Sequence, residues 1–332
     1  MLHPELFQTA ALILCDYGKA REGDRVLLVT DPGYSGEVLA ALQGMAMARS
    51  LALTTLTLLP NQMKQPPETF ARTLEVVDLA VVCTSRKFHA SFADFLARGG
   101  RVLSLTRTTP QQLGQVLSLD REALRAEMDW FGQKLAKCRS MELTTALGTR
   151  LTLNVTGRKV LFWDGEVSPG EFDTYPGVVS ITPVEAETGG RLVVDCTVGW
   201  IPPGEDELFN MNVAGALTLE IVGGRVARVT GGLEAPGIQR MLRGGGEGAD
   251  VVAEIGLGLN AALRAPTGNL LLDEHIYGAV HIGVGNNLHL GGKNQAGQHA
   301  DFVIKDATIH CDGELAIEDG RLIGFESKGC KQ

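Results

Sequence analysis

The sequence predicts an α/β protein. A parallel-sheet α/β domain spans residues 1–140, and a mixed, β-dominated α+β domain spans residues 141–332 and carries a metal site. Three observations predict this. In the first part, short apolar runs alternate with segments of helical periodicity, as parallel strands joined by helices require. Nine of the 41 glycines fall in residues 1–140, so the second part is the turn-rich one. From Met141 onward the apolar runs shorten to strand length and are separated by Gly-Gly pairs.

Taken in order, residues 4–19 have a helical period that stops near Gly18. Arg25 to Thr30 is a short apolar run after Gly23-Asp24 and reads as a buried parallel strand. Ser35 or Gly36 caps a helix reaching about Ser50, and the next strand runs from Leu53 to Leu59. A third apolar run ends at Cys83, a helical pattern follows from His89 to Ala97, and Gly99-Gly100 stops it. Val102 to Leu105 returns to strand. Asp120 has the chemistry of an N-cap for a helix reaching Ser140, which joins the two domains. The loop Asp31-Pro32-Gly33-Tyr34-Ser35-Gly36 follows the first strand, where such folds bind nucleotides. It lacks the G-x-G-x-x-G order, so nucleotide binding is not expected.

In the second part, two strand-like runs flank Gly148, and further runs start at Val160, Val178, Gly190, Ala216 and Arg225. Gly190 to Gly199 reads as one strand. Residues 234–243 have a helical pattern ahead of Gly244-Gly245-Gly246, and residues 302–327 close with strands.

With 332 residues, 44% hydrophobic and 21% charged, the chain has an ordinary globular composition. A net charge of −9 argues against nucleic acid or an anionic membrane as partner, since both need a cationic surface. The six cysteines form no C-x-x-C pair and read as reduced thiols. No basic leader and no span of about 20 apolar residues is present, so the expected location is the cytoplasm.

The chemistry concentrates between Glu254 and Asp301. Five of the seven histidines lie between His275 and His310, with Glu254, Asp273, Glu274 and Asp301 among them and glycines between. Imidazoles and carboxylates on a backbone that turns sharply make a metal site. His299-Ala300-Asp301 enters a strand, where side chains two apart share a face and can grip one cation. His281 lies on the strand face opposite Val280 and Ile282. Glu254 sits in an apolar run, where a carboxylate needs a partner or a metal to offset desolvation. Taken singly, each has a plain structural explanation, and their density tilts the reading. His89, His275, His289 and His310 read as core or surface residues, and Glu185 with Glu187 as a solvated acidic turn. Asn286 to Lys293 resembles a phosphate loop, but Asn287 and Asn294 stand where Walker spacing needs Gly and Ser or Thr.

The ordered segments AEIGLGLN, DEHIYGAVHIGVG and GGKNQAGQHADF, with the upstream Ile201-Pro202-Pro203-Gly204-Glu205, resemble the aminopeptidase T/aminopeptidase S family of metallopeptidases over about residues 140 to 312. The resemblance implies a cytoplasmic homodimer that binds two divalent metals (Zn, Mn or Co). Its ligands would be Glu205, Glu254, Glu274, His281, His299 and Asp301. A metal-activated water would cleave the N-terminal residue of a small peptide, with Glu205 or Glu274 moving the proton. The same superfamily contains a branch similar to 2,5-dihydroxypyridine 5,6-dioxygenase, of comparable length, which places a His at the Glu254 position and lacks the middle His. That alternative implies one Fe(II) held by His299, Asp301 and either His281 or Glu254, acting on a small hydroxylated ring.

Overall fold

The computed structural model describes residues 4–202, 205 and 207–326, which divide into two compact units. The first holds the described residues up to Leu119 together with Trp163–Pro176. The second holds Asp120–Phe162 and the described residues from Gly177 onward.

The first unit is built on a five-stranded parallel sheet. Its order is Ala52–Thr57, Arg25–Thr30, Leu79–Cys83, Arg101–Ser104 and the short Phe172–Asp173. Leu79–Cys83 is buried at every position, which is why it reads as a continuous apolar run rather than an alternating one. Leu27, Val29, Met63, Phe70, Val82, Phe95 and Val102 form the core on it. The helix that ends near Gly18 finishes in a π turn, Leu12–Tyr17, closed by the Gly18 N–H on the Ile13 carbonyl at 2.8 Å. The helix expected from His89 forms only over Ala93–Ala97, and Gly100 then lies against the Phe95 ring with no room for a Cβ.

The second unit is mixed and β-dominated, as expected. Asp120 caps the helix Arg121–Leu135 by accepting the Glu122 and Ala123 N–H groups at 3.0 Å each. That helix, expected to join the halves, lies wholly within this unit. Eight strands form one antiparallel sheet and seven form another. The run from Gly190 to Gly199 is two strands rather than one. Thr188–Val194 belongs to the eight-stranded sheet and Thr197–Trp200 to the seven-stranded one. The chain changes sheet at Asp195, whose carboxylate accepts the Lys305 N–H at 3.0 Å.

The seven-stranded sheet positions the acids and imidazoles. Its order is Phe209–Asn212, Thr197–Trp200, His299–Ile304, Val280–Gly285, Val252–Gly258, Val178–Ile181 and Val160–Trp163. Every residue of Val252–Gly258 and of Val280–Gly285 is buried. The cluster therefore sits on strands in the middle of a sheet, not on the turns from which the glycines seemed to build it. Among the described residues, no helix is long and apolar enough to cross a membrane.

Candidate metal centre

Three neighbouring antiparallel strands supply the cluster, and their register explains how. Glu254 stands opposite Gly283, and Gly283 stands opposite Asp301 on its other side. His281 stands opposite Gly256, and His299 opposite Gly285. Directly opposed residues share a sheet face, as do residues two apart along a strand. Glu254, His281, His299 and Asp301 thus project from one face.

The glycines between them make room. A Cβ at residue 256 would lie 2.2 Å from His281 Cε1 and 2.4 Å from its Nε2. A Cβ at residue 283 would lie 2.6 Å from His299 Nε2 and 2.9 Å from Glu254 Cβ. Glycine inside a strand weakens it and marks a close approach; here the close approach is of two imidazole rings.

His299 Nε2 lies 3.1 Å from Asp301 Oδ1 and 3.5 Å from Glu254 Oε2. His281 Nε2 lies 3.8 Å from Glu254 Oε1. Glu254, His299 and Asp301 each offer a ligand atom within 4.8 Å of the others. The other nitrogen of His299 meets the Asn286 carbonyl at 2.7 Å, which fixes the ring and leaves Nε2 for the carboxylates. His281 Nδ1 is buried with no hydrogen-bond partner. The nitrogen that faces the cluster is the other one, Nε2, 3.8 Å from Glu254 Oε1.

The buried acids and imidazoles shift one another's ionisation. Burial alone would push the Glu254 carboxyl up, but hydrogen bonds and charge from His281 and His299 outweigh it and hold the group below the ordinary carboxylate range. Burial pushes His281 down, yet Glu254 reverses this and brings its pKa up to about 9. His299 is raised in the same way, by Asp301 and Glu254 acting against burial. Glu274 behaves oppositely. Burial, then the charge of Asp301, raises it well above its ordinary value. It caps the C-terminus of the short helix Leu270–Asp273 and feels the charges of Asp301, His281, Glu254 and His299.

Glu205 is exposed, five residues beyond the strand Thr197–Trp200, with its N–H on the Pro202 carbonyl at 3.0 Å. It is not in the converging group, and its neighbours Pro203, Gly204 and Asp206 lie outside the described residues. Asp273 is buried and serves as a clamp, accepting from Thr197 Oγ1 at 2.5 Å and from Thr267 N and Oγ1 at 2.7 Å each.

Three residues escaped the sequence reading. The ring of His289 stands edge-on to His299, with centroids 5.6 Å apart. Glu185 is not a solvated turn residue: it ion-pairs with Arg158, accepts the Lys293 N–H at 2.7 Å and takes a hydrogen bond from Asn287. Asn287, fully buried, also donates to the Ala253 carbonyl at 3.3 Å and accepts the Asn294 N–H at 2.8 Å. Together they tie the loop that carries Asn286 to the strand that carries Glu254. The only signal was polar residues between two apolar strands, which any surface loop also shows.

The family model of NicX, 2,5-dihydroxypyridine 5,6-dioxygenase, matches residues 21–324. A 2,5-dihydroxypyridine 5,6-dioxygenase from Pseudomonas putida KT2440 is 24% identical over 269 residues, covering 77% of this chain and 73% of that protein. The solved structure of 2,5-dihydroxypyridine dioxygenase from Pseudomonas putida KT2440 superposes with a TM-score of 0.79 at 19% identity, covering 97% of both chains. Wild-type AmpT from Thermus thermophilus superposes with a TM-score of 0.71 at 13% identity, covering 96% of this chain and 99% of that one. At these identities the superpositions establish a shared fold and nothing finer.

Proposed function

The chain belongs to the 2,5-dihydroxypyridine 5,6-dioxygenase family, and from that premise we propose that it is a metal-dependent dioxygenase opening a hydroxylated nitrogen-containing aromatic ring. The family match overturns the aminopeptidase expectation. The fold is common to both branches of the superfamily, so the motif order that suggested a peptidase reports the scaffold. The two-metal hydrolytic centre and the homodimer rested on that resemblance and have no support of their own.

One observation carries the proposal: two imidazoles and two carboxylates converge on one buried sheet face in a chain of this family. That donor set fits a single iron(II), which favours two His and one carboxylate with positions left open. His299, Asp301 and either His281 or Glu254 would hold it. The sequence resemblance to the dioxygenases implies a second imidazole where this chain has Glu254. Here His281, one strand over and 3.8 Å from that carboxylate, offers an equivalent nitrogen. When bound, iron(II) supplies the redox partner that lets oxygen react with an electron-rich ring.

The chain's own residues do the rest. Asn286 sets the His299 ring through Nδ1. Glu254 and Asp301 keep negative charge at the site, which favours a divalent cation. Burial and the charge of Asp301 raise the Glu274 carboxyl, which favours the form able to donate a hydrogen bond to an anionic ring oxygen. Burial of Glu254 and His281 keeps bulk water from competing for them.

The test is oxygen consumption. Protein loaded anaerobically with Fe(II) and given 2,5-dihydroxypyridine should take up one oxygen per ring lost, and His299→Ala should abolish the uptake. Absence of uptake by the loaded, folded protein with that substrate and its ring-substituted analogues would remove the proposal.

A further inference from the structure

We infer that Cys138 and Cys311 form an oxidant-responsive thiol pair, in which a hydroperoxide oxidises Cys138 and Cys311 then closes a disulfide onto it. The pair belongs to the second unit and shares no residue with the candidate metal centre.

The backbone holds the two thiols together. Cys138 follows the helix Arg121–Leu135, its N–H on the Lys134 and Leu135 carbonyls at 3.1 Å each. Cys311 ends the strand Thr308–Cys311 and pairs with Met141 in the neighbouring strand. Asp312 locks the two segments. Its carboxylate accepts the Arg139 N–H at 3.0 Å and the Ser140 N–H at 2.9 Å, and its own N–H donates to the Ser140 carbonyl at 2.8 Å. Cys138 Sγ lies 3.2 Å from the Ser140 carbonyl, and each thiol shifts the ionisation of the other, as neighbouring groups do.

A small oxidant has a way in. A cavity of about 400 Å³ is lined by both cysteines with Trp130, Lys134, Lys137 and Asp312. The Lys134 ammonium, 4.9 Å over the Trp130 ring, places positive charge at this cavity and eases ionisation of Cys311, while the Asp312 carboxylate opposes that of Cys138. The roles are unequal. The mutual influence of the two thiols lowers Cys138 and raises Cys311, so Cys138 is the sulfur assigned to attack. Cys15, Cys83 and Cys196 are pushed up by burial, which leaves them poor nucleophiles.

The step balances. The Cys138 thiolate attacks one peroxide oxygen, forming an S–O bond as the O–O bond breaks, and the leaving oxygen departs as water or alcohol. The Cys311 sulfur, giving up its proton, then attacks Cys138 Sγ and expels water. Two thiols lose two electrons and one hydroperoxide gains them.

The test uses the full-length protein treated with a small excess of hydrogen peroxide, then alkylated and mapped by mass spectrometry. The expected result is loss of two hydrogens per chain, a Cys138–Cys311 linked peptide, and reversal by a thiol reductant. Cys311→Ser should stop at a sulfenic acid on Cys138 that dimedone traps, and Cys138→Ser should leave Cys311 unmodified. The inference is overturned if both thiols of the wild type stay alkylatable, if the bond joins other cysteines, or if dimedone labels Cys138 equally in wild type and Cys311→Ser. The wild-type map decides the matter even if a variant does not fold.

Discussion

A single methyl group placed at Gly256 should disable the metal site while leaving the fold standing. Neither Gly256 nor Gly283 has a left-handed backbone, so alanine is conformationally allowed at both, and the obstacle is the imidazole opposite. The new Cβ would lie 2.2 Å from His281 Cε1. Carbon atoms rest at about 3.5 Å or more, so the ring must retreat by about 1.3 Å. Metal–ligand distances tolerate about 0.2 Å, so a ring that retreats this far no longer ligates. Losing even a supporting contact typically costs about 10–100-fold in metal affinity, and Gly256→Ala should lose at least that much. Overpacking should cost about 1–3 kcal/mol of stability, which a protein of this size survives. The assay is calorimetric titration with Fe(II) or Mn(II) under anaerobic conditions, beside urea unfolding of the metal-free protein. Gly237→Ala is the control. Nothing lies within 4 Å of a Cβ there, so affinity should be unchanged and stability equal or slightly higher. Wild-type metal affinity in folded Gly256→Ala would show that His281 has no part in the site.

Other predictions follow from the same contacts. Asn287→Ala removes three side-chain hydrogen bonds at a fully buried position. It should cost about 2–4 kcal/mol in urea unfolding and weaken metal binding through the loop that holds His299. Metal affinity should rise with pH. His281 is held up at about 9 by Glu254, so below that pH the metal must displace its proton, and affinity should climb about tenfold per pH unit per proton and level off above pH 9. Titrations in buffers of different ionisation enthalpy would count the protons, and a flat profile from pH 6 to 9 would contradict the assignment. In the first unit, Arg101 bonds Asp24 at 2.7 Å and the Gly18 and Lys19 carbonyls at 3.0 and 2.7 Å. Arg101→Ala should lower stability by about 3–5 kcal/mol in thermal or urea unfolding, since it strands a partly buried carboxylate.

Much of the fold could be read from periodicity. Arg25–Thr30 and Leu79–Cys83 announce themselves because strands covered on both faces are apolar throughout. The change of sheet at Asp195 could not be read, since a corner within an apolar stretch carries no composition signal. Glu254, His281, His299 and Asp301 were legible as chemistry because acids and imidazoles are rare in apolar runs. Their support was misread. The glycines of the cluster suggested a backbone that turns sharply, but Gly256 and Gly283 are strand residues made small by the rings across from them. Glu205 drew attention through its motif, and the converging ligand atoms belong to Glu254, His299 and Asp301 instead. His289, Glu185 and Asn287 reach the site by long-range packing, which no local pattern encodes. The choice between hydrolase and dioxygenase was least legible, because both branches share the scaffold and differ in a few donors.

The nitrosyl adduct of the iron-loaded protein tests the central claim most directly. Nitric oxide added to Fe(II)-loaded chain should give one high-spin iron–nitrosyl resonance per chain by electron paramagnetic resonance. That resonance should shift when 2,5-dihydroxypyridine is added and vanish in His299→Ala and Asp301→Ala. A signal indifferent to both substitutions, or a folded chain that takes up no iron, would contradict the account.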